Sequence, residues 1–177
     1  MRFVYILIVF CINLFTYSIY SQTIVVVNIQ SLIDDNNIYK NIISDIELSQ
    51  QKYLNNFLIK ENELKLQFKE IEDSKLILSE NEINLQIDEY NKQLTEFTKL
   101  IEEFNFHYQN EIIKIRESVL KEIIELLQKF AIENNVDLIL DSTSYLIASN
   151  SLDITNDIKT KLENLKFKIE YNDFKKN

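Results

Sequence analysis

Ser79 to Asn134 reads SENEINLQIDEYNKQLTEFTKLIEEFNFHYQNEIIKIRESVLKEIIELLQKFAIEN. Stepping forward from Ile83 by three or four residues lands on Ile87, Tyr90, Leu94, Phe97, Ile101, Phe104, Tyr108, Ile112, Ile115, Val119, Ile123, Leu126 and Phe130. Every landing is apolar or aromatic, and the mean step matches the α-helical repeat of about 3.6 residues. No Gly or Pro interrupts the run, because the chain contains none. Ser79 with Glu82 three residues on forms a capping-box pattern that satisfies unpaired N–H groups at the start. A helix of roughly 55 residues at 1.5 Å per residue is about 80 Å long, too long to stand without a partner along its apolar seam.

The preceding residues supply that partner. Tyr39, Ile43, Ile46, Tyr53, Phe57, Leu64, Phe68, Ile71 and Leu78 follow the same period, with Gln50, Lys60 and Lys75 as polar steps. The two seams predict an antiparallel helical hairpin turning near Leu78 to Asn81, with the aromatics buried between its arms. Ser31 is the expected cap of the outward arm. Without Gly, turns that need a left-handed residue fall to Asn, which makes Asn36-Asn37, Asn81, Asn134-Asn135 and Asn150 the candidate turn sites.

Thr23 to Asn28 is a β-branched run that reads as a buried strand. After the arms, Val136 to Asp141 and Tyr145 to Ala148 read as two further strands forming a C-terminal hairpin. Ile158, Leu162 and Leu165 then mark a final helix, and residues 169–177 read as a flexible tail. The fold class is therefore α+β, a small β body carrying one long coiled-coil arm. The expected divisions are a signal peptide at 1–21, the first strand at 22–30, the arm at 31–134, and the closing strands and helix at 135–168. Three short strands make a poor core with open edges, which argues for association of several chains through the body. Val25, Val27, Leu138, Leu140 and Leu146 are the expected residues of that oligomeric body.

Met1-Arg2, the mostly apolar run to Phe15 and the small residues before Gln22 describe a cleaved secretory signal, with an uncleaved anchor as the alternative. Cys11 lies in that run and lacks the small-residue setting of a lipid-attachment site, so a mature chain has no thiol chemistry.

The formal charge of −9 argues against nucleic acid, which selects a basic surface. No zinc spacing or phosphate-binding glycine loop exists, and His107 is the only histidine. Neither an enzymatic activity nor a cofactor is expected. Acidic pairs such as Glu102-Glu103 read as solvated helix faces, and Asp137 and Asp141 as brackets at the ends of a strand. What remains is apolar surface. Leu48, Ile59, Leu66 and Ile77 fall within about 20° of one another at 100° per residue, away from the seam. Leu85 and Phe106 occupy off-seam positions on the return helix. These six residues are candidates for contacting another chain, set against the ordinary scatter of surface apolar groups.

The end motifs carry a resemblance. Ile24-Val25-Val26-Val27-Asn28-Ile29-Gln30-Ser31-Leu32, Val136-Asp137-Leu138-Ile139-Leu140-Asp141, Tyr145-Leu146-Ile147-Ala148 and Asp153-Ile154-Thr155, in this order around a long hairpin, resemble the Skp/OmpH family of periplasmic chaperones. The resemblance implies a jellyfish-like homotrimer whose β body is shared by three subunits and whose three arms enclose a cavity. It implies an ATP-independent holdase of the periplasm that keeps unfolded outer-membrane β-barrel proteins from aggregating. The outer-membrane assembly machinery is a further implied partner. A structural or tethering coiled-coil protein of the cell envelope is the alternative. One departure matters: residues 31–134 hold 12 Lys/Arg against 21 Asp/Glu, a net −9, where well-known members are strongly basic. Such arms disfavour electrostatic capture of acidic chains or of lipopolysaccharide.

Overall fold

The computed structural model describes residues 22–165 and 167–175; the expected signal peptide lies outside them. The elements are β1 (Ile24–Val27), α1 (Ile29–Asp34), α2 (Asn37–Ser74), α3 (Glu80–Asn134), β2 (Leu138–Asp141) and α4 (Thr155–Asn164). Single 3-10 turns lie at Ser142–Ser144 and Asn150–Leu152. The expected α+β architecture is present: a small body and one long helical hairpin.

The hairpin forms along the seam read from the sequence. Phe57 meets Phe97 and Phe104 edge-on at centroid distances of 5.9 and 5.1 Å, Tyr53 meets Phe104 at 5.5 Å, and Phe68 meets Tyr90 at 5.5 Å. These offset and edge-on contacts are the geometries that ring quadrupoles favour. Leu64, Ile71 and Ile83 close the seam toward the tip. The start of α3 is set by Ser79, whose N–H and hydroxyl both donate to the Glu82 carboxylate, at 2.9 and 2.7 Å. Its end is set by Asn135, which takes the left-handed conformation at φ 50° while Val136 N–H donates to Ala131 O at 2.9 Å. Asn takes here the left-handed position that Gly fills at many helix ends.

The outward arm does not start at Ser31. Asn28 caps α1 by accepting from Ser31 N–H at 2.9 Å, and the chain then breaks at Asp35-Asn36. Asn36, itself buried, caps α2 by accepting from Tyr39 N–H at 2.9 Å. The break turns Leu32 and Ile33 into the body before the arm departs.

The body is smaller in strands than expected. β1 and β2 form a parallel pair with Ile24 opposite Leu138 and Val27 opposite Asp141. The whole arm is thus the crossover connection between two parallel strands. Asp137 and Asp141 bracket the pair: Asp137 accepts from Thr23 N–H at 2.8 Å and Asp141 from Ile29 N–H at 3.1 Å. The predicted C-terminal hairpin does not form, and Tyr145 to Ala148 is not a strand. Asp141 also accepts from the Thr143 N–H and hydroxyl, at 3.1 and 2.6 Å, and this winds the chain into a 3-10 turn that leads it off the sheet. The other side of β1 is met by Asp153, which bridges Val26, with Ile154 N–H donating to Val26 O at 2.9 Å.

Helices supply the rest of the core. Val25, Val27, Leu32 and Ile33 pack with Val119, Ile123, Leu126 and Leu127 of α3 and with Ile154, Ile158 and Leu162 around α4. Each such burial contributes on the order of 2 kcal/mol. The last turns of α3 therefore belong to the body rather than to the arm.

The final segment is docked, contrary to the reading of residues 169–177 as a flexible tail. Residues 167–175 have no regular structure, yet Phe174 is buried against Ile46, Phe104, Tyr108 and Ile115 at the base of the arms. Charged residues alternate through this stretch, but Phe167, Ile169, Tyr171 and Phe174 between them all pack against the core clusters.

Candidate functional site

The six candidate contact residues all point to solvent. Leu48 is 63% exposed, Ile59 60%, Leu66 63%, Ile77 84%, Leu85 70% and Phe106 68%. Leu48, Ile59 and Leu66 share one face of α2. Ile77 does not extend that face, because α2 ends at Ser74 and Ile77 sits in the turn beside Leu76, which is almost fully exposed. Leu85 borders a shallow groove between the arms near the tip, with Ile71 and Gln86. Phe106 lies two residues from the buried Phe104, on the opposite side of α3. The exposed surface is therefore a sparse set of apolar points along the arm, not one stripe.

In the body, Val25 and Val27 are covered within their own chain, Leu140 is half-buried, and Leu138 and Leu146 are exposed. Ile147 joins them at 91% exposure. Periodicity could not single out Ile147, because a strand reading assigns it to one face or the other by alternation alone.

The arms carry their charge as solvated pairs, such as Lys65 with Glu61 at 2.6 Å and Lys99 with Glu103 at 3.5 Å. Exposed pairs of this kind contribute little. Asp35 at the helix break gathers Lys159 at 3.0 Å and Lys40 at 3.4 Å, and these ammonium groups hold its carboxyl below the usual range. Among the described residues no cluster of three metal-ligating side chains occurs, and no helix is long and apolar enough to cross a membrane.

The densest polar arrangement lies at the base of the arms, where the final segment crosses them. Asp173 accepts from the Ser49 hydroxyl at 2.5 Å and from the Tyr108 hydroxyl. Asn172 N–H donates to Glu111 at 2.9 Å, and Asn172 O lies 2.8 Å from His107 Nε2. The Tyr53 hydroxyl donates to Phe174 O. Burial, reinforced by the Asp173 carboxylate, pushes Tyr108 up to about 12. Partial burial raises Asp173, but hydrogen bonds from Ser49, Tyr108 and Phe174 N–H outweigh it and hold the group below its ordinary value. The Asn172 amide and then Lys114 do the same for Glu111. Sequence reading missed this cluster, because the hydrogen bonds that join its three stretches of chain span 59 residues or more. Beyond Phe174 the space between the arms opens into a cleft of about 730 Å3, lined in part by Tyr53, Phe57, Lys60, Gln93 and Phe97.

A two-stranded body with a long helical hairpin as its crossover, exposing apolar points along the arm, defines an arm-bearing α+β fold. Residues 23–162 match the family model described as "Outer membrane protein (OmpH-like)", and the chain belongs to that family. None of the curated proteins matches. The fold is similar to the crystal structure of an OmpH-like protein from Caulobacter crescentus CB15 assigned as an outer membrane chaperone, with a TM-score of 0.70 at 14% identity. The likeness covers 89% of this chain and 96% of that one.

Proposed function

We propose that this protein is an ATP-independent holdase of the periplasm that binds unfolded outer-membrane β-barrel proteins and prevents their aggregation. The observation that carries the reading is the division of apolar groups on the arms. Tyr53, Phe57, Phe97 and Phe104 pack in the internal seam, while Leu48, Ile59, Leu66, Ile77, Leu85 and Phe106 stay exposed at wide intervals. Many weak apolar contacts suit a binder that releases its client without an energy source. Membership of the OmpH-like family supports the same conclusion.

The working form is a homotrimer joined through the body. A parallel two-stranded sheet is not stable alone, and the outer edge of β2 is unpaired among the described residues. The exposed Leu138, Leu146 and Ile147 lie beside that edge in the chain. The net −9 of residues 31–134 favours apolar capture over electrostatic attraction of acidic chains or lipopolysaccharide.

Dilution of a denatured outer-membrane barrel protein into buffer containing the mature chain tests the activity by light scattering. Suppressed aggregation at a several-fold trimer excess is expected. Unchanged aggregation refutes the holdase reading.

A further inference from the structure

The contacts that hold the final segment are mostly of a kind that any peptide can make. Glu111 takes the Asn172 N–H, His107 meets the Asn172 carbonyl, and Tyr53 donates to the Phe174 carbonyl. These three address backbone groups of an irregular segment. The side-chain-specific features are the Asp173 carboxylate at Ser49 and Tyr108, the Phe174 ring, and the half-buried Ile169 and Tyr171 packed against the same cluster. The Phe174 ring lies 5.5 Å from both Tyr53 and Phe104, edge-on, and 5.6 Å from His107. Backbone recognition plus a buried aromatic anchor, with Ile169 and Tyr171 half-buried beside it, makes a site for an extended, aromatic-bearing peptide.

The site is also larger than its occupant. The cleft beyond Phe174 remains open between the arms. Lys60 and Gln93 face each other there at 3.4 Å where an apolar pair would close the seam. Its walls set Phe57, Phe97 and Leu100 among polar and charged side chains such as Glu96 and Glu103.

From this arrangement we infer that the base of the arms is a binding groove for an extended peptide bearing an aromatic residue, and that residues 171–174 fill it as an internal stand-in. Release of this strap opens the groove to a segment of an unfolded chain that threads Phe174's place and continues into the cleft. The identity of that occupant rests on the holdase reading; the groove itself does not. The strap is tethered to the body, so its effective concentration is on the order of millimolar, and a free segment competes against that. The strap is an autoinhibitory contact that sets a threshold for occupancy at the arm base.

A labelled peptide with the sequence of residues 169–175 is the probe, titrated by fluorescence anisotropy into the mature chain and into the Asp173→Ala/Phe174→Ser variant. The variant is expected to bind the peptide at least tenfold more tightly than the parent, as loss of a tethered competitor requires. A peptide with Ser in place of Phe174 is expected to bind neither protein. Equal binding to parent and variant, binding to neither, or equal binding of the Ser peptide overturns the inference. If the variant loses helicity by circular dichroism, hydrogen exchange on the unaltered chain decides. Excess unlabelled peptide is expected to speed exchange at Asn172 and Phe174, and unchanged exchange overturns the proposal. A chain that binds the peptide yet fails to suppress aggregation keeps the groove and loses the holdase reading.

Discussion

Tyr108 donates its phenolic hydrogen to the carboxylate of Asp173, which lies 65 residues further along the chain. The bond ties residues 172–174 to the middle of the longest helix, α3. It joins Tyr108 and Asp173, two groups with opposite responses to pH, beside Glu111, which holds the neighbouring Asn172 N–H.

Asp173 and Glu111 are both held below their ordinary values of 3.8 and 4.5. Groups depressed in the folded state stabilise it above those values, and the contribution is lost as pH falls through the lowered ones. Tyr108 is raised from 10.0 to about 12, so its contribution is complete below pH 10 and lost as pH rises toward 12. The strap is therefore expected to stay docked through neutral pH and to loosen at both extremes. Amide resonances of Asn172 and Phe174 followed by NMR across the range check this; Tyr108→Phe should shrink the alkaline response to the part carried by Tyr171 and, by removing a hydrogen bond to Asp173, move the acid loss to higher pH.

Phe104 is 2% exposed and Phe106 68%, two residues apart on one helix. Phe104→Ala removes the ring that Tyr53, Phe57, Tyr108 and Phe174 share, with an expected loss of about 3–5 kcal/mol. Phe106→Ala should change stability by no more than about 0.5 kcal/mol. Urea unfolding followed by helical circular dichroism measures both.

Leu48, Ile59 and Leu66 stand on one exposed face of α2, off the seam. Replacing all three with Ser is expected to leave helicity and oligomeric mass unchanged while weakening suppression of barrel-protein aggregation. Equal suppression by this variant assigns client contact to other surfaces.

Leu146 and Ile147 are almost wholly exposed in a single chain. Leu146→Asp with Ile147→Asp places two like charges at the proposed junction of the bodies. Multi-angle light scattering is expected to show the mass falling from trimer to monomer. A trimer of unchanged mass and stability places the junction elsewhere.

The arms were legible in the sequence because a helical hairpin repeats its seam every turn. From Ile83 to Phe130 the period is written in residue type, and Ser79-Glu82 and Asn135 mark the ends by their own chemistry. The exposure of Leu48, Ile59 and Leu66 followed from the same periodicity. Short elements were harder to read. Tyr145 to Ala148 has the composition of a strand, but strand pairing depends on what lies beside it, and Asp141 turns the chain away through Thr143.

Sequence alone therefore determined the helical hairpin, its buried aromatics and its exposed apolar points, all consequences of local periodicity. Tertiary structure decided what lies at the arm's base. Ser49, Tyr108, Glu111 and Asp173 carry no shared signal in the sequence, and Phe174 sits among charged residues. Only the antiparallel return of α3 beside α2, with the chain coming back from α4, places them within hydrogen-bonding distance. Long-range closure of this kind is set by packing geometry, which no local pattern encodes.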